Sequence, residues 1–202
     1  MVRMTSSQAH VVVLDIETQN TFNDTGSNDP ASLSISLLVV YDYIDDTYRS
    51  YTEDTLGELW RTLEYTNLII GYNSDHFDIP LLNKYYPGDL TTIPSLDLLV
   101  HVRNALGRRI RLDAIAEGTL GKNKIGHGLE AIKWWKEGRI EDIRKYCEED
   151  VRITKEVYEY ALEHKKLKYK ELGQTKEFAI DTSTWKDIAK AGAPAMNHTL
   201  PF

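Results

Sequence analysis

The hydrophobic positions change period several times along the chain, and each change marks an element. Residues 10–18 (HVVVLDIET) open with a β-prone apolar run, predicted to be a strand buried on both faces at the centre of a sheet. Residues 19–30 (QNTFNDTGSNDP) are crowded with turn formers and predict an exposed loop. Residues 31–42 are rich in β-formers and 47–52 alternate tyrosine with polar residues, so Asp45 and Asp46 between them predict a hairpin. Residues 54–65 begin with a capping residue and early acids and carry Leu56, Leu59, Trp60 and Leu63 at helical spacing, the pattern of a surface helix packed on the sheet. Residues 67–72 (NLIIGY) return to an apolar run bounded by Gly71, a second interior strand.

Beyond it, Pro80 suits the first turn of a helix that turns Leu81, Leu82 and Tyr85 to the core, with Asp78 placed to cap it. Residues 93–97 predict a short strand leading into a helix through Ala105, with Asp97 as its cap and so outside any site. Helices are predicted over 110–120, closed by Gly121, and 126–137, closed by Gly138. Gly126, Gly128 and Ala131 fit a GxGxxA fingerprint only superficially, since no strand precedes them. The longest helix spans 139–164 and packs through Ile143, Cys147, Val151, Thr154 and Tyr158. Segments 167–171 and 177–182 flank Gly173-Gln174 as a terminal hairpin, and 191–202 reads as a frayed tail. The order β-β-β-α-β-α-β followed by helices predicts an α/β protein. Its mixed five-stranded sheet, with an early antiparallel meander, is flanked by helices and followed by a C-terminal β-hairpin.

Composition narrows the picture modestly. The 202 residues fit one domain, with 42% hydrophobic and 27% charged residues as in ordinary globular proteins. No apolar run approaches the ~18 residues of a membrane span, and the first ten residues lack a secretory h-region, so no membrane association and a cytoplasmic location are expected. The single Cys147 forms no intramolecular disulfide, in keeping with a reducing compartment. A net charge of −7 argues against coating nucleic acid by bulk attraction. Basic residues nevertheless concentrate in two places, Arg103, Arg108, Arg109, Arg111, Lys122 and Lys124 in one and HKKLKYK (164–170) in the other. Phosphate tracking and a solvated face are the alternatives for both.

The chemistry lies in four acids. Asp15 and Glu17 leave the same face of the first strand as its apolar pairing stops. Two unit charges about 4 Å apart repel by roughly 4 kcal/mol at an effective dielectric of 20, and a hard divalent cation such as Mg²⁺ would offset that. Asp78 comes from a later helix start. Asp150 sits midway along the longest helix, where an acid caps nothing, and Tyr146 lies one turn before it. Four carboxylates around one point are unfavourable without cations and sensible with two, about 3.5–4 Å apart, clamping a phosphoryl displacement. That pattern predicts phosphodiester hydrolysis, with Tyr146 positioning the attacking water.

Asp15-Ile-Glu17-Thr, the NSDHFD segment from Asn73 to Asp78 and Tyr146-Cys-Glu-Glu-Asp150-Val resemble the three exonuclease motifs of the DEDD superfamily, tyrosine-bearing branch. RLDAIAEGTLG (111–121) and WWKEG from Trp134 resemble the nuclease domain fused to some bacterial helicases, although no helicase motor is present. The resemblance implies a ribonuclease H-like fold over residues 1–170, with 171–202 as hairpin strand and tail, and removal of nucleotides from 3′ ends with two Mg²⁺ or Mn²⁺ ions. It implies that Asp15, Glu17 and Asp150 hold the catalytic metal, that Asp15 bridges to the second, and that Asp78 supports the second through water. Tyr146 would orient the nucleophile, with Thr18 and Asn73 near the terminal nucleotide. In the histidine-bearing branch a base stands five residues before the last acid, and here that position is Lys145. The implied partners are single-stranded DNA or RNA 3′ ends, with a helicase or polymerase partner left open. The competing readings are a non-catalytic nucleic-acid-binding or docking module and a metal-free two-carboxylate enzyme such as a glycosidase.

Overall fold

The computed structural model describes residues 9–122 and 128–191. The valine run becomes β1 (Val11–Thr18) at the centre of a five-stranded sheet. On one side β2 (Ile35–Asp42) and β3 (Thr47–Tyr51) form the expected antiparallel meander. On the other, β4 (Leu68–Gly71) and β5 (Ser95–Asp97) run parallel to β1, giving the order β3-β2-β1-β4-β5. This is the mixed, helix-flanked sheet the sequence predicts.

Because successive strand residues face opposite ways, β1 feeds two cores. Val13 joins Leu37, Val39 and Tyr41 of β2 against α7 (Ile140–His164), which contributes Ile143, Cys147, Val151 and Val157. Val12, Leu14 and Ile16 join Leu38 and Val40 on the other face, against Leu63 of α2 (Trp60–Glu64) and Leu81 and Leu82 of α3 (Asp78–Asn83). Asp15 and Glu17 continue the row of Val13, so the face that β1 turns to α7 is also the face that carries its acids.

Several boundaries differ from expectation. The helix predicted over 54–65 is a 3-10 segment, Glu53–Glu58, followed by the short α2. Gly57 weakens an α-helix there by about 1 kcal/mol relative to Ala, while Leu56, Leu59 and Leu63 are buried as the spacing requires. The predicted loop 19–30 contains α1 (Phe22–Thr25), held by a reciprocal capping box. Asp24 N donates to the Thr21 hydroxyl at 3.2 Å and Thr21 N to the Asp24 carboxylate at 2.7 Å. Asp97 caps α4 (Leu98–Leu106) as expected, accepting from Leu99 N at 2.9 Å. After α4 come α5 (Leu112–Leu120), closed by Gly121, and α6 (Gly128–Lys136). Gly126, part of the discounted GxGxxA pattern, lies outside the described residues.

The hairpin pairs β6 (Lys166–Glu171) with β7 (Gln174–Ala179) through Leu172 and Gly173, both at positive φ, so its second strand starts three residues before the predicted position. β6 docks on α5 closely enough that a Cβ on Gly118 would lie 2.5 Å from the Tyr169 backbone. α8 (Trp185–Ala191) was not expected. Its anchor Trp185 is fully buried and stacks on Tyr158 of α7 at 5.5 Å between ring centroids. The rest of the predicted tail, 192–202, lies outside the described residues.

Candidate active site

α7 crosses β1 where the strand's apolar row gives way to acids. Asp15, Glu17 and Asp150 each bring a carboxylate oxygen within 4.8 Å of the others, Glu17 and Asp150 being buried and Asp15 half-buried. The helical acid remote in sequence therefore meets the strand pair. Cys147, one turn before Asp150 on the buried stripe, donates its thiol to the Asp15 carbonyl at 3.3 Å and to the Asp15 carboxylate at 3.5 Å. Burial, and then Asp15, Glu17 and Asp150, push the thiol well above its usual range, so it is a protonated donor and not a thiolate ligand.

Asp78 does not cap its helix. Phe77 occupies the cap position without a side-chain bond, and the Asp78 carboxylate instead accepts from Ile16 N at 3.0 Å. Strand geometry explains the exchange. Tyr43 N donates to Val11 O, so the odd residues of β1 bond to β2 and Ile16 N points away toward β4. The parallel pairing with β4 ends at Val13–Ile70, leaving that N–H for a side chain. Asp78 is 4% exposed. Burial first, then the neighbouring Asp15, raises its carboxyl well above the usual range, although the backbone hydrogen bonds oppose this.

Tyr146 is 4% exposed and hydrogen bonds to Asp150. Burial and then the Asp150, Glu17 and Asp15 charges hold its phenol far above the usual range, so the hydroxyl stays a proton donor. Its ring meets Trp134 of α6 edge-on at 6.0 Å, which fixes its direction. Lys145, five residues before Asp150, is exposed.

Glu17 and Thr18 also border a cavity of about 670 Å³ lined by Ile16, Phe22, Leu33 and Phe77, with Asn20, Thr21, Arg111 and Ile132 completing it. Phe22 and Phe77 stand edge to face with centroids 6.2 Å apart. The Thr18 hydroxyl donates to Asn20 O at 2.9 Å. Asn73 lines a different cavity, beyond the end of β4. It has φ +70°, its N–H donates to Asp97 at 2.7 Å, and its side-chain oxygen accepts from Arg109 at 2.6 Å. Phe22, Leu33 and Phe77 escaped the sequence reading. The T-x-x-D signature of Thr21 and Asp24 was the available signal for the helix that carries Phe22.

The carboxylates offer hard oxygen donors. Octahedral Mg²⁺ with ligands at ~2.1 Å spans about 4.2 Å between opposite donors, so the observed spread suits one or two such ions after small side-chain adjustments. The donor set thus fits a divalent, oxygen-liganded metal.

Residues 12–162 match the RNase H superfamily, and the chain belongs to it. Among solved structures it is similar to the family B DNA polymerase of the hyperthermophilic archaeon Pyrobaculum calidifontis, with a TM-score of 0.59 and 20% identity. That alignment covers 77% of this chain and 25% of the polymerase, so the chain corresponds to about a quarter of that protein. At this identity the likeness is one of fold. No curated protein sequence matches the chain. Among the described residues no helix is long and apolar enough to cross a membrane.

Proposed function

We propose that the protein is a metal-dependent 3′-to-5′ exonuclease of the DEDD superfamily, tyrosine-bearing branch, acting on single-stranded nucleic acid ends. The observation that carries this reading is the meeting of Asp15, Glu17 and Asp150, with the Tyr146 hydroxyl on Asp150. Two Mg²⁺ or Mn²⁺ ions held by Asp15, Glu17 and Asp150, with Asp78 in support, would supply the nucleophile and stabilise the developing charge on the leaving oxygen. The chain's own residues do the rest. Tyr146, too high in pKa to act as a base, keeps its proton on Asp150 and accepts a hydrogen bond from the attacking water through its oxygen, which holds that water in line. The Phe22–Phe77 cavity beside Glu17 and Thr18 takes the unstacked terminal base, which aromatic faces accept with little regard to sequence. Thr18 and Asn73 are assigned to the terminal nucleotide and its neighbour. A helicase or polymerase is the kind of partner that would present such ends.

The test is stepwise shortening of an oligonucleotide labelled at its 5′ end, in Mg²⁺ or Mn²⁺. Asp15→Ala is expected to abolish cleavage while circular dichroism remains that of the parent. Shortening by the alanine variant at the parent's rate would sink the assignment. Saturable binding with no cleavage in either metal would favour the docking-module reading.

A further inference from the structure

Most basic residues of the two clusters in the sequence pair with acids. Lys166 and Lys168 pair with Glu177, Lys170 with Glu117, Lys176 with Glu171, Arg108 with Glu171, Arg111 with Asp113 and Lys122 with Glu156. Of the four lysines of the HKKLKYK segment, three thus meet two acids, Glu177 of β7 and Glu117 of α5, with Lys165 on the Thr182 hydroxyl, and Lys124 lies outside the described residues. Arg103 and Arg109 differ. No acid pairs with either among the described residues, and both line the cavity of about 280 Å³ beyond the ends of β4 and β5, together with Asn73, Asp75, His76 and Asp97.

The two acids of that cavity are already engaged. Asp97 accepts from Asn73 N, Leu99 N and Asp75 N at 2.7, 2.9 and 3.3 Å, and Asp75 accepts from the Ser95 hydroxyl. Apart from the Arg109 bond to Asn73, the guanidinium donors are left for an outside acceptor. The cavity also adjoins the one beside the carboxylates. Two segments line both: His76 one and Phe77 the other, Arg109 one and Arg111 the other. Two residues in an extended chain advance at most roughly 7 Å, about one step along a nucleic acid strand.

We propose that Arg103 and Arg109, with Asn73 and His76, form a second phosphate subsite that grips the phosphodiester next to the scissile one on its 5′ side. The inference rests on the exonuclease reading for the direction of the strand. It explains how an acidic protein holds a polyanion, through two unneutralised guanidiniums at one point instead of a basic surface.

The decisive measurement is binding of a short fluorescent oligothymidylate to the cleavage-dead Asp15→Ala protein across a salt series. Each phosphate contact on a single strand contributes about −0.7 to the slope of log K against log salt. Arg103→Gln should flatten the slope, and the double change with Arg109→Gln, which removes the single phosphate contact, should flatten it by about 0.7 in all. Affinity should fall roughly tenfold or more per arginine, as for a charged hydrogen bond. Lys168→Gln, removing a cation already paired with Glu177, should leave the slope as it was. Arg103→Gln is the cleaner variant, because Arg109 also holds Asn73.

A slope untouched by Arg103→Gln, or moved equally by Lys168→Gln, overturns the subsite. In the catalytically competent protein, Arg103→Gln should raise KM on oligothymidylate with kcat little altered. The p-nitrophenyl ester of thymidine 5′-phosphate, which has one phosphate, should suffer a much smaller loss. Equal losses on both substrates would make Arg103 a structural residue and also overturn the proposal. A parent that cleaves neither substrate would refute the exonuclease reading, while the binding slopes would still decide the subsite.

Discussion

Tyr146 shows how much one hydroxyl is asked to do in this fold. It is buried beneath Trp134, its phenol stays protonated, and its bond is to an acid of the cluster. Tyr146→Phe keeps the ring and its contact with Trp134 and removes only that bond. On the exonuclease reading kcat should fall by up to about 10²-fold, the scale on which misplacing a reacting group is felt, with KM nearly constant. Steady-state kinetics on an oligonucleotide decides it, and an unchanged kcat would move the water-positioning role elsewhere. The acids were legible in the sequence because each violates a local rule, two on one face of a strand end and one midway along a helix. The Phe22–Phe77 cavity was not, because it is made of residues far apart in the chain that only the packing of α1, the Pro30–Ser32 turn and α3 brings together. Asp78 was half legible. Its position at a helix start was right, but its partner is a strand N–H freed where β4 diverges, a consequence of sheet register alone.

At the level of elements, what could be read depended on length. α7, with 25 residues and a continuous apolar stripe, has bounds within one residue of expectation. α1 and α8, of 4 and 7 residues, are too short to show a period and went unread. Their stability comes from contacts such as the Thr21–Asp24 box and the burial of Trp185, not from propensity. The α5–β6 junction yields a prediction with a clear sign. In an exposed helix interior Gly→Ala stabilises by about 1 kcal/mol. At Gly118 the added methyl would meet the Tyr169 backbone at 2.5 Å, and backbone cannot rotate aside. Overpacking of that kind costs roughly 1–3 kcal/mol, which outweighs the propensity gain over all but the low end of that range. Gly118→Ala should therefore lower the midpoint of urea denaturation. A raised midpoint would show that the hairpin is held far more loosely against α5 than these contacts imply.

For the whole molecule, the carboxylate cluster sets function against stability. Asp15, Glu17 and Asp150 converge at the strand end, and Asp78 is pressed toward its neutral form by burial and by Asp15. Such a site holds mutually repelling charges, which a cation bound there would offset. Ligand that binds only the folded state at 100 times its Kd stabilises by about 2.7 kcal/mol. At about 2–4 °C per kcal/mol for a chain of this size, saturating Mg²⁺ or Mn²⁺ should raise Tm by roughly 5–10 °C. Asp15→Asn should do two opposite things at once. It should raise Tm in chelator, because one of the mutually repelling charges is gone, and it should remove most of the metal-dependent increment, because a ligand is gone too. Neither a surface charge effect nor a general loss of fold produces that crossing pattern. Scanning calorimetry of parent and variant, each with metal and with chelator, reads all four values. If Asp15→Asn gains as many degrees from metal as the parent does, the cations bind elsewhere and the carboxylate cluster is not their site.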